Sequence, residues 1–191
     1  MHIEIEAKLK VGSLTQIARK LKGAGAEFVR QFQQTDIYLD DGKSTLRKTD
    51  SALRIRHQRI GLREQAILTF KGPRRKGRLK HRQEIQFEVG DARLAEECFA
   101  AIGYKKSLSF QKKRSVWRLG GCEVALDELP LLGKFVEIEG PGEKKIAAVQ
   151  KKLGLSGLPH IQESYAVLME RKLREITPTA GVGAKYFVKK Q

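Results

Sequence analysis

The segment HIEIEAKLKV, His2–Val11, alternates without a break between polar and apolar residues. Its apolar positions are Ile3, Ile5, Ala7, Leu9 and Val11. A period of two over ten residues predicts a β-strand whose two faces differ completely in polarity. The polar face carries two glutamates, Glu4 and Glu6, followed by Lys8. For one strand taken alone, contact with water is a sufficient explanation of such a face.

The same alternation recurs along most of the chain. It predicts further strands at Glu27–Asp40, Ser51–Gln58, Gln65–Lys71, Lys80–Val89, Ser107–Leu119, Cys122–Leu126 and Phe135–Gly140. Turn-forming residues such as Asp41-Gly42 and Gly120-Gly121 separate most of these segments. Apolar residues at helical spacing predict helices after Ser13, around Ala92–Ile102, around Glu143–Leu153 and over Ser164–Ile176.

About eight strands, mostly joined as hairpins, suit a closed or nearly closed antiparallel barrel, because closure removes exposed strand edges. We therefore expect an α+β fold: a single-domain, eight-stranded antiparallel β-barrel with flanking helices over residues 1–176. The total length of 191 residues is enough for one domain with its own hydrophobic core. Residues 177–191 are rich in glycine and lysine and are expected to form a basic, flexible C-terminal tail.

Composition limits the classes of protein to which the chain can belong. The chain is 40% hydrophobic and 31% charged, and no run of apolar residues is long enough for a transmembrane helix. The first residues lack the continuous apolar core of a signal peptide, so we expect a cytoplasmic protein. Cys98 and Cys122 fit reduced, structural thiols, and the four scattered histidines argue against a zinc site.

The net charge of +16, from 38 basic and 22 acidic residues, predicts an anionic partner. It does not identify the anion. Nucleic acid, an acidic membrane surface and a small polyphosphate all remain open on charge alone.

The charged faces of the predicted strands narrow this choice. They carry Arg and Glu where solvent-facing strands usually carry Thr, Ser, Gln and Lys. The charged residues that share a face, strand by strand, are Glu4, Glu6 and Lys8; Arg54 and Arg56; Lys71; Arg82, Glu84 and Glu88; Lys112, Arg114 and Arg118; Asp127; Glu137 and Glu139. Contact with water explains one such face but becomes a weak explanation when seven strands repeat it.

Two E-x-E pairs, Glu4/Glu6 and Glu137/Glu139, each place two carboxylates about 7 Å apart on one face of a strand. Gathered inside a barrel, these carboxylates repel each other unless a doubly charged ion lies among them. Oxygen ligands of this kind suit Mg²⁺ or Mn²⁺. The Arg and Lys rows suit phosphate oxygens, which they bind by charge-assisted hydrogen bonds. The two clusters together indicate a metal and polyphosphate site.

Two features of the sequence, the two-faced strands and one basic loop, also have other interpretations. Strands with one polar and one apolar face also describe an outer-membrane barrel. The missing signal peptide and the helices between strands argue against it. The basic loop Gly72–Arg82 resembles a nucleic-acid-binding patch, but it has no interleaved aromatic residues and no P-loop glycine-lysine motif. We therefore expect no membrane association and no nucleic-acid partner, and we leave a homodimer open.

At these residues the chain resembles the CYTH family, also called the triphosphate tunnel metalloenzymes. The family's E-x-E-x-K motif is matched by Glu4–Lys8. Further matches, in order, are QTDIYLD (Gln34–Asp40), LRIR (Leu53–Arg56), LTFKGP (Leu68–Pro73), RQEIQFE (Arg82–Glu88), KKR (Lys112–Arg114), VALDELPLLGKFVEIEG (Val124–Gly140) and SY (Ser164-Tyr165). E-x-E-x-K alone is a weak signal, whereas this ordered series over nearly the whole chain is highly specific.

The resemblance implies an eight-stranded tunnel that holds a triphosphate. It implies metal ligation by Glu4, Glu6, Glu84, Asp127, Glu137 and Glu139, and triphosphate binding by Lys8, Arg54, Arg56, Lys71, Arg82, Lys112 and Arg114. Catalytic roles would fall to Lys8, Arg56 and Asp127. Mg²⁺ or Mn²⁺ would be the cofactor.

Within the family, the wording of LTFKGP and LDELPLLGKFVEIEG is most similar to the class IV adenylyl cyclases, which convert ATP to cyclic AMP and pyrophosphate. A triphosphatase acting on inorganic triphosphate, thiamine triphosphate or a nucleoside triphosphate is the alternative. A further alternative is a non-catalytic module that binds polyphosphate or nucleic acid. The acidic residues argue against that module, since a pure polyanion binder gains nothing from them.

Overall fold

The computed structural model describes residues 2–61, 63–75, 79–177 and 186–188. The strands are β1 (His2–Val11), β2 (Glu27–Asp40), β3 (Ala52–Ile60), β4 (Arg63–Arg75), β5 (Lys80–Val89), β6 (Lys105–Leu119), β7 (Cys122–Leu129), β8 (Gly133–Glu139) and β9 (Tyr186–Val188). The helices are α1 (Leu14–Gly23), α2 (Thr45–Lys48), α3 (Ala92–Ala101), α4 (Glu143–Lys152) and α5 (Tyr165–Ile176).

Strands β1 to β8 form a closed antiparallel barrel. Their order is β2-β3-β4-β5-β1-β8-β7-β6, and β2 pairs with β6 to close the ring. Two hairpin-connected runs, β2 to β5 and β6 to β8, are joined by β1, which pairs with β5 on one side and β8 on the other. The predicted fold is therefore confirmed, including the number of barrel strands.

The apolar faces of the strands point outward and are covered by helices. Helices α1 and α4 pack on β1, β7 and β8 through a cluster that includes Ile17, Leu21, Ile146 and Val149. Helix α3 lies against β2 and β3 through Phe99. The core is thus between the barrel and its helices, which leaves the charged faces for the interior.

Helix α5 packs differently, against apolar residues that share the inward face of the strands with the charged positions. Its residues Tyr165, Leu168, Met169 and Leu173 cluster with Leu108, Phe110, Leu129 and Phe135 of the strands. Phe110 precedes Lys112 by two residues, so both lie on the same face of β6. Helix α5 therefore covers one end of the barrel interior.

Local differences from the sequence prediction are small. Strand β4 continues to Arg75, and β7 continues to Leu129. The unpredicted helix α2 forms because the Asp40 carboxylate accepts hydrogen bonds from the backbone N–H groups of Leu46 and Arg47. Most of the predicted tail lies outside the described residues, although residues 186–188 form β9, which pairs in parallel with β6. No helix in the described part of the chain has the length and apolarity needed to cross a membrane.

Candidate active site in the barrel lumen

The barrel interior contains a cavity of about 760 Å³, here called the lumen. Twelve of the thirteen residues predicted for the site line it: Glu4, Glu6, Lys8, Arg54, Arg56, Lys71, Arg82, Glu84, Lys112, Arg114, Glu137 and Glu139. Asp127 is fully buried behind Arg114 instead of lining the cavity. Glu88 and Arg118, which share these strand faces, lie exposed toward strand ends.

Strand register determines which charges meet. Lys8 of β1 lies opposite Glu137 of β8, and Arg114 of β6 lies opposite Asp127 of β7. Because inward side chains recur at every second residue, the Lys8–Glu137 pair is followed on the same wall by Glu6 opposite Glu139. The carboxylates and cations predicted from separate strands are thereby brought into one enclosed space.

One part of the lumen is acidic, and two lysines lie among its carboxylates. Lys71 Nζ is 2.7 Å from both oxygens of Glu4 and 2.8 Å from Glu84 Oε2. Lys80 Nζ is 2.5 Å from Glu6 Oε1. Burial alone would raise the pKa of Glu4, but Lys71 and Lys80 outweigh it and hold that pKa below its usual value.

Glu139 shows that negative charge is in excess here. Burial, with repulsion from Glu4 and Glu6, raises the pKa of Glu139 to about 8. A divalent cation would relieve that repulsion, and carboxylate oxygens are suitable ligands for Mg²⁺ or Mn²⁺. Within residues 2–61, 63–75, 79–177 and 186–188, however, no three Asp, Glu, His or Cys side chains form a ready-made metal cage. The carboxylate oxygens are chemically suited to such an ion, and in this structure the ammonium groups of Lys71 and Lys80 lie among them.

Two arginines on β3 are held by a carboxylate that sequence reasoning missed. Arg56 donates from Nε to Asp36 Oδ1 at 2.6 Å and from Nη2 to Asp36 Oδ2 at 2.9 Å. Arg54 Nη1 is 3.8 Å from Asp36 Oδ2. Burial would raise the pKa of Asp36, but Arg56 and Arg54 hold it far below its usual range. Asp36 shares the inward parity of Gln34 and was detectable by alternation within QTDIYLD.

A second arginine site lies on β6. Arg114 donates from Nε to Asp127 Oδ1 at 2.7 Å and also bonds Glu137. The Tyr165 hydroxyl donates to Asp127 Oδ2 at 2.9 Å. Asp127 therefore orients Arg114 and anchors α5, and it lies apart from the Glu4 and Glu6 carboxylates. Tyr165 has no periodicity signal of its own, because its position depends on where α5 docks.

Lys8 and Lys112 approach the Tyr165 ring from the lumen. Their Nζ atoms are 4.1 Å and 5.0 Å from the ring centroid, which is within cation–π range. Lys8 Nζ also donates to the Glu163 carbonyl oxygen at 3.0 Å and is 3.2 Å from Glu137 Oε1. The Lys112 Nζ atom is 3.7 Å from Asp127 Oδ2, which is longer than a hydrogen bond. Burial together with repulsion from Arg114 lowers the pKa of Lys112 to about 7. Lys112 is thus the poorly compensated cation of this wall.

Arg82 is engaged with backbone. It donates from Nε to the Gly72 carbonyl oxygen at 2.7 Å and also bonds the Asp50 carbonyl oxygen. It supports the β3–β4 side of the lumen through these backbone contacts.

Known proteins resemble this chain in sequence and share its barrel. The family model of the CYTH domain matches residues 2–165. A protein of Methanocaldococcus jannaschii, named provisionally as an adenylate cyclase, is 30% identical over 150 residues, covering 78% of this chain and 81% of that protein. A solved Pyrococcus horikoshii structure is 31% identical with a TM-score of 0.77, covering 88% of this chain and 99% of that one.

A second solved structure comes from Hippeastrum and is described as a provisional adenylyl cyclase with a dominant triphosphatase activity. It is 18% identical, has a TM-score of 0.70 and covers 88% of this chain and 95% of that one, so it shares the fold. The family model spans most of the sequence, and the same barrel recurs in these structures. The chain belongs to the CYTH domain family.

Proposed function

We propose that this chain is a divalent-metal-dependent enzyme that processes a triphosphate held in the barrel lumen. The reaction we favour is that of the class IV adenylyl cyclases, in which ATP yields cyclic AMP and pyrophosphate. One observation carries the proposal: a single enclosed cavity holds both a carboxylate cluster and a row of buried cations. Burying both is costly unless a ligand uses them.

The cations of the lumen are of the kind that binds phosphate oxygens. Phosphate binding is assigned to Lys8, Arg54, Arg56, Lys71, Arg82, Lys112 and Arg114, all of which line the lumen. Arg56 and Arg114 are already held in fixed orientations by Asp36 and Asp127. Fixed guanidinium groups bind phosphate oxygens with less loss of side-chain entropy. A monophosphate has too few oxygens to engage this row.

The carboxylates are assigned to the metal. Glu4, Glu6, Glu84, Glu137 and Glu139 would hold Mg²⁺ or Mn²⁺, with Asp127 contributing if it is released from Arg114. When bound, the metal supplies neutralisation of phosphate charge and activation of the attacking oxygen. Lys8 and Arg56 are the catalytic candidates that neutralise charge developing on the phosphates, and Asp127 keeps Arg114 oriented toward them.

Hydrolysis of inorganic triphosphate, thiamine triphosphate or a nucleoside triphosphate is the second candidate. It uses the same cations and carboxylates, with water in place of the ribose hydroxyl as nucleophile. The triphosphatase activity of the Hippeastrum protein illustrates that this barrel can support it. A non-catalytic polyanion binder is disfavoured, because buried Glu4 and Glu6 would repel its ligand.

The test is incubation with ATP, inorganic triphosphate and thiamine triphosphate, each with Mg²⁺, Mn²⁺ or EDTA, followed by product identification. We expect turnover with metal and none in EDTA. Glu6→Gln should lower turnover by at least about a hundredfold, since it removes a metal ligand. Glu97→Gln, an exposed glutamate on α3, is the control. Absence of turnover on every substrate, or turnover that persists in EDTA, would overturn the proposal.

A further inference from the structure

Part of the lumen wall has no charge, and a triphosphate alone gives it no role. Six lining residues form this surface, here called the uncharged band: Phe32, Gln34, Gln58, Ile67, Val116 and Ala125. Their register makes them neighbours, because Gln34 lies opposite Gln58 and Val116 lies opposite Ala125. Phe32 and Gln34 also share the inward face of β2, and Arg30, which lies opposite Val116, marks one edge of the band.

The uncharged band adjoins the cation row. Gln34 lies opposite Lys112, and Phe32 lies opposite Arg114. Ile67 lies opposite Arg56. On β6 the order of inward residues is Phe110, which packs in the α5 cluster, then Lys112 and Arg114, then Val116. Val116 therefore lies beyond the cations of β6, on the side away from the end that α5 covers.

A chain of side-chain amides within and beside the band has a fixed direction. Gln34 Nε2 donates to Gln58 Oε1 at 2.8 Å, and Gln58 Nε2 donates to Gln65 Oε1 at 2.6 Å. Gln65 Nε2 then donates to Glu88 Oε2 at 2.9 Å. Because an ionised carboxylate only accepts, the final amide must present its NH₂ group to Glu88, which sets the orientation of the other two.

One oxygen of the amide chain, Gln34 Oε1, has no hydrogen-bond partner among the described residues. Gln34 is 3% exposed, and its Oε1 is buried. Its cross-strand neighbour Lys112 has its ammonium near Asp127 and the Tyr165 ring instead. A buried acceptor left unsatisfied is unfavourable, so the residue is suited to a ligand that brings a donor.

We propose that the uncharged band binds the base of a nucleoside triphosphate, with Gln34 Oε1 accepting from an exocyclic amino group such as the 6-amino group of adenine. The inference rests on the proposed function, since the cation row must hold the phosphates. Phe32, Ile67 and Val116 supply apolar contact for the base, and the amide acceptor supplies selectivity. A base with a carbonyl at that position leaves the acceptor unpaired and binds less well.

The experiment compares ATP, ITP and inorganic triphosphate by calorimetric titration in EDTA, where metal-dependent turnover is blocked. ITP carries a carbonyl oxygen where ATP carries the amino group. The proteins are wild type, Gln34→Met and the control Gln33→Met, whose residue is exposed on the opposite face of β2. Wild type should bind ATP about fivefold to about tenfold more tightly than ITP, as expected for one hydrogen bond.

In Gln34→Met the ratio of ATP to ITP affinity should fall to about one, while Gln33→Met keeps the wild-type ratio. Inorganic triphosphate should bind all three proteins equally. Equal affinity for ATP and ITP in wild type, or a ratio that survives in Gln34→Met, overturns the inference. If inorganic triphosphate binds and no preference is seen, the proposed function stands and the base site fails. If no triphosphate binds in EDTA and none binds in a repeat of the titration with Mg²⁺, both fail.

Discussion

Lys80 is the residue whose position most changes the interpretation of the acidic cluster. It is buried, its Nζ is 2.5 Å from Glu6 Oε1, and burial lowers its pKa. A metal that uses Glu6 must therefore compete with this ammonium. Lys80 shares the inward parity of Arg82 and Glu84, so the alternation of β5 could have identified it.

We predict that Lys80→Met binds Mn²⁺ about tenfold more tightly than wild type in the absence of substrate, because a competing cation is gone. Isothermal titration with Mn²⁺ measures this directly. Lys22→Met, an exposed position on α1, should leave the affinity unchanged. Weaker Mn²⁺ binding by Lys80→Met would instead mark Lys80 as a support that keeps Glu6 in place.

Glu139 gives a pH dependence with a defined sign. Its pKa is raised from 4.5 in the unfolded chain to about 8 in the folded protein, mainly by burial. The native state therefore holds a proton that the unfolded chain releases, and metal-free stability should fall as pH rises through this window. The lowered pKa of Lys112, about 7, acts in the opposite direction above that value.

The effect of Glu139 is therefore separated from that of Lys112 between about pH 5 and about pH 7. In this range one proton changes the free energy of unfolding by at most about 1.4 kcal/mol per pH unit. In EDTA, urea denaturation of the wild type should show that the free energy of unfolding declines as the pH rises through this range. Glu139→Gln should remove most of that decline, and the exposed Glu97→Gln should not. An unchanged slope in Glu139→Gln would show that Glu139 is already ionised in the native state.

At the scale of elements, helix α5 is tied to the lumen by one hydroxyl. The Tyr165 hydroxyl donates to the buried Asp127 carboxylate, while its ring contacts Lys8 and Lys112. Tyr165→Phe keeps the ring and removes only this bond. It should lower the free energy of unfolding by about 1.5–3 kcal/mol, the range for a hydrogen bond to a charged group.

Urea denaturation measures the effect of Tyr165→Phe, with Tyr104→Phe as a control. Tyr104 packs against Phe99 and has no side-chain hydrogen bond among the contacts of the described residues. Equal stability for Tyr165→Phe and wild type would show that the bond from Tyr165 to Asp127 does not help to hold α5.

The elements also show what sequence could and could not predict. Period-two alternation identified β1 to β8, because each strand has one apolar face that must meet helices. It also placed Glu4, Arg56 and Glu137 on inward faces, since parity is a local property. The closure of β2 on β6 and the docking of Tyr165 depend on contacts far apart in the chain, which no local pattern encodes. Asp127 was predicted among the metal ligands, but its register opposite Arg114 buries it behind that side chain.

At the scale of the whole molecule, the fold is a barrel whose charged strand faces point inward. Its outer apolar face packs under helices, and its interior holds a row of cations in which Arg114 repels the poorly compensated Lys112. A triphosphate, with about four negative charges, should therefore stabilise the fold by mass action. AMP should stabilise it far less, because it cannot span the cation row.

The most direct test of a triphosphate-binding lumen is the affinity of Lys112→Met for inorganic triphosphate, measured by calorimetric titration in EDTA. Lys112 is buried, poorly compensated and repelled by Arg114, so removing its charge should leave the free protein as stable as wild type or more so. Its loss should weaken triphosphate binding about tenfold to about a hundredfold. The control Lys113→Met, whose side chain lies on the opposite face of β6, should bind like wild type. Wild-type affinity in Lys112→Met, together with lost stability, would contradict the account and make this lysine a structural one.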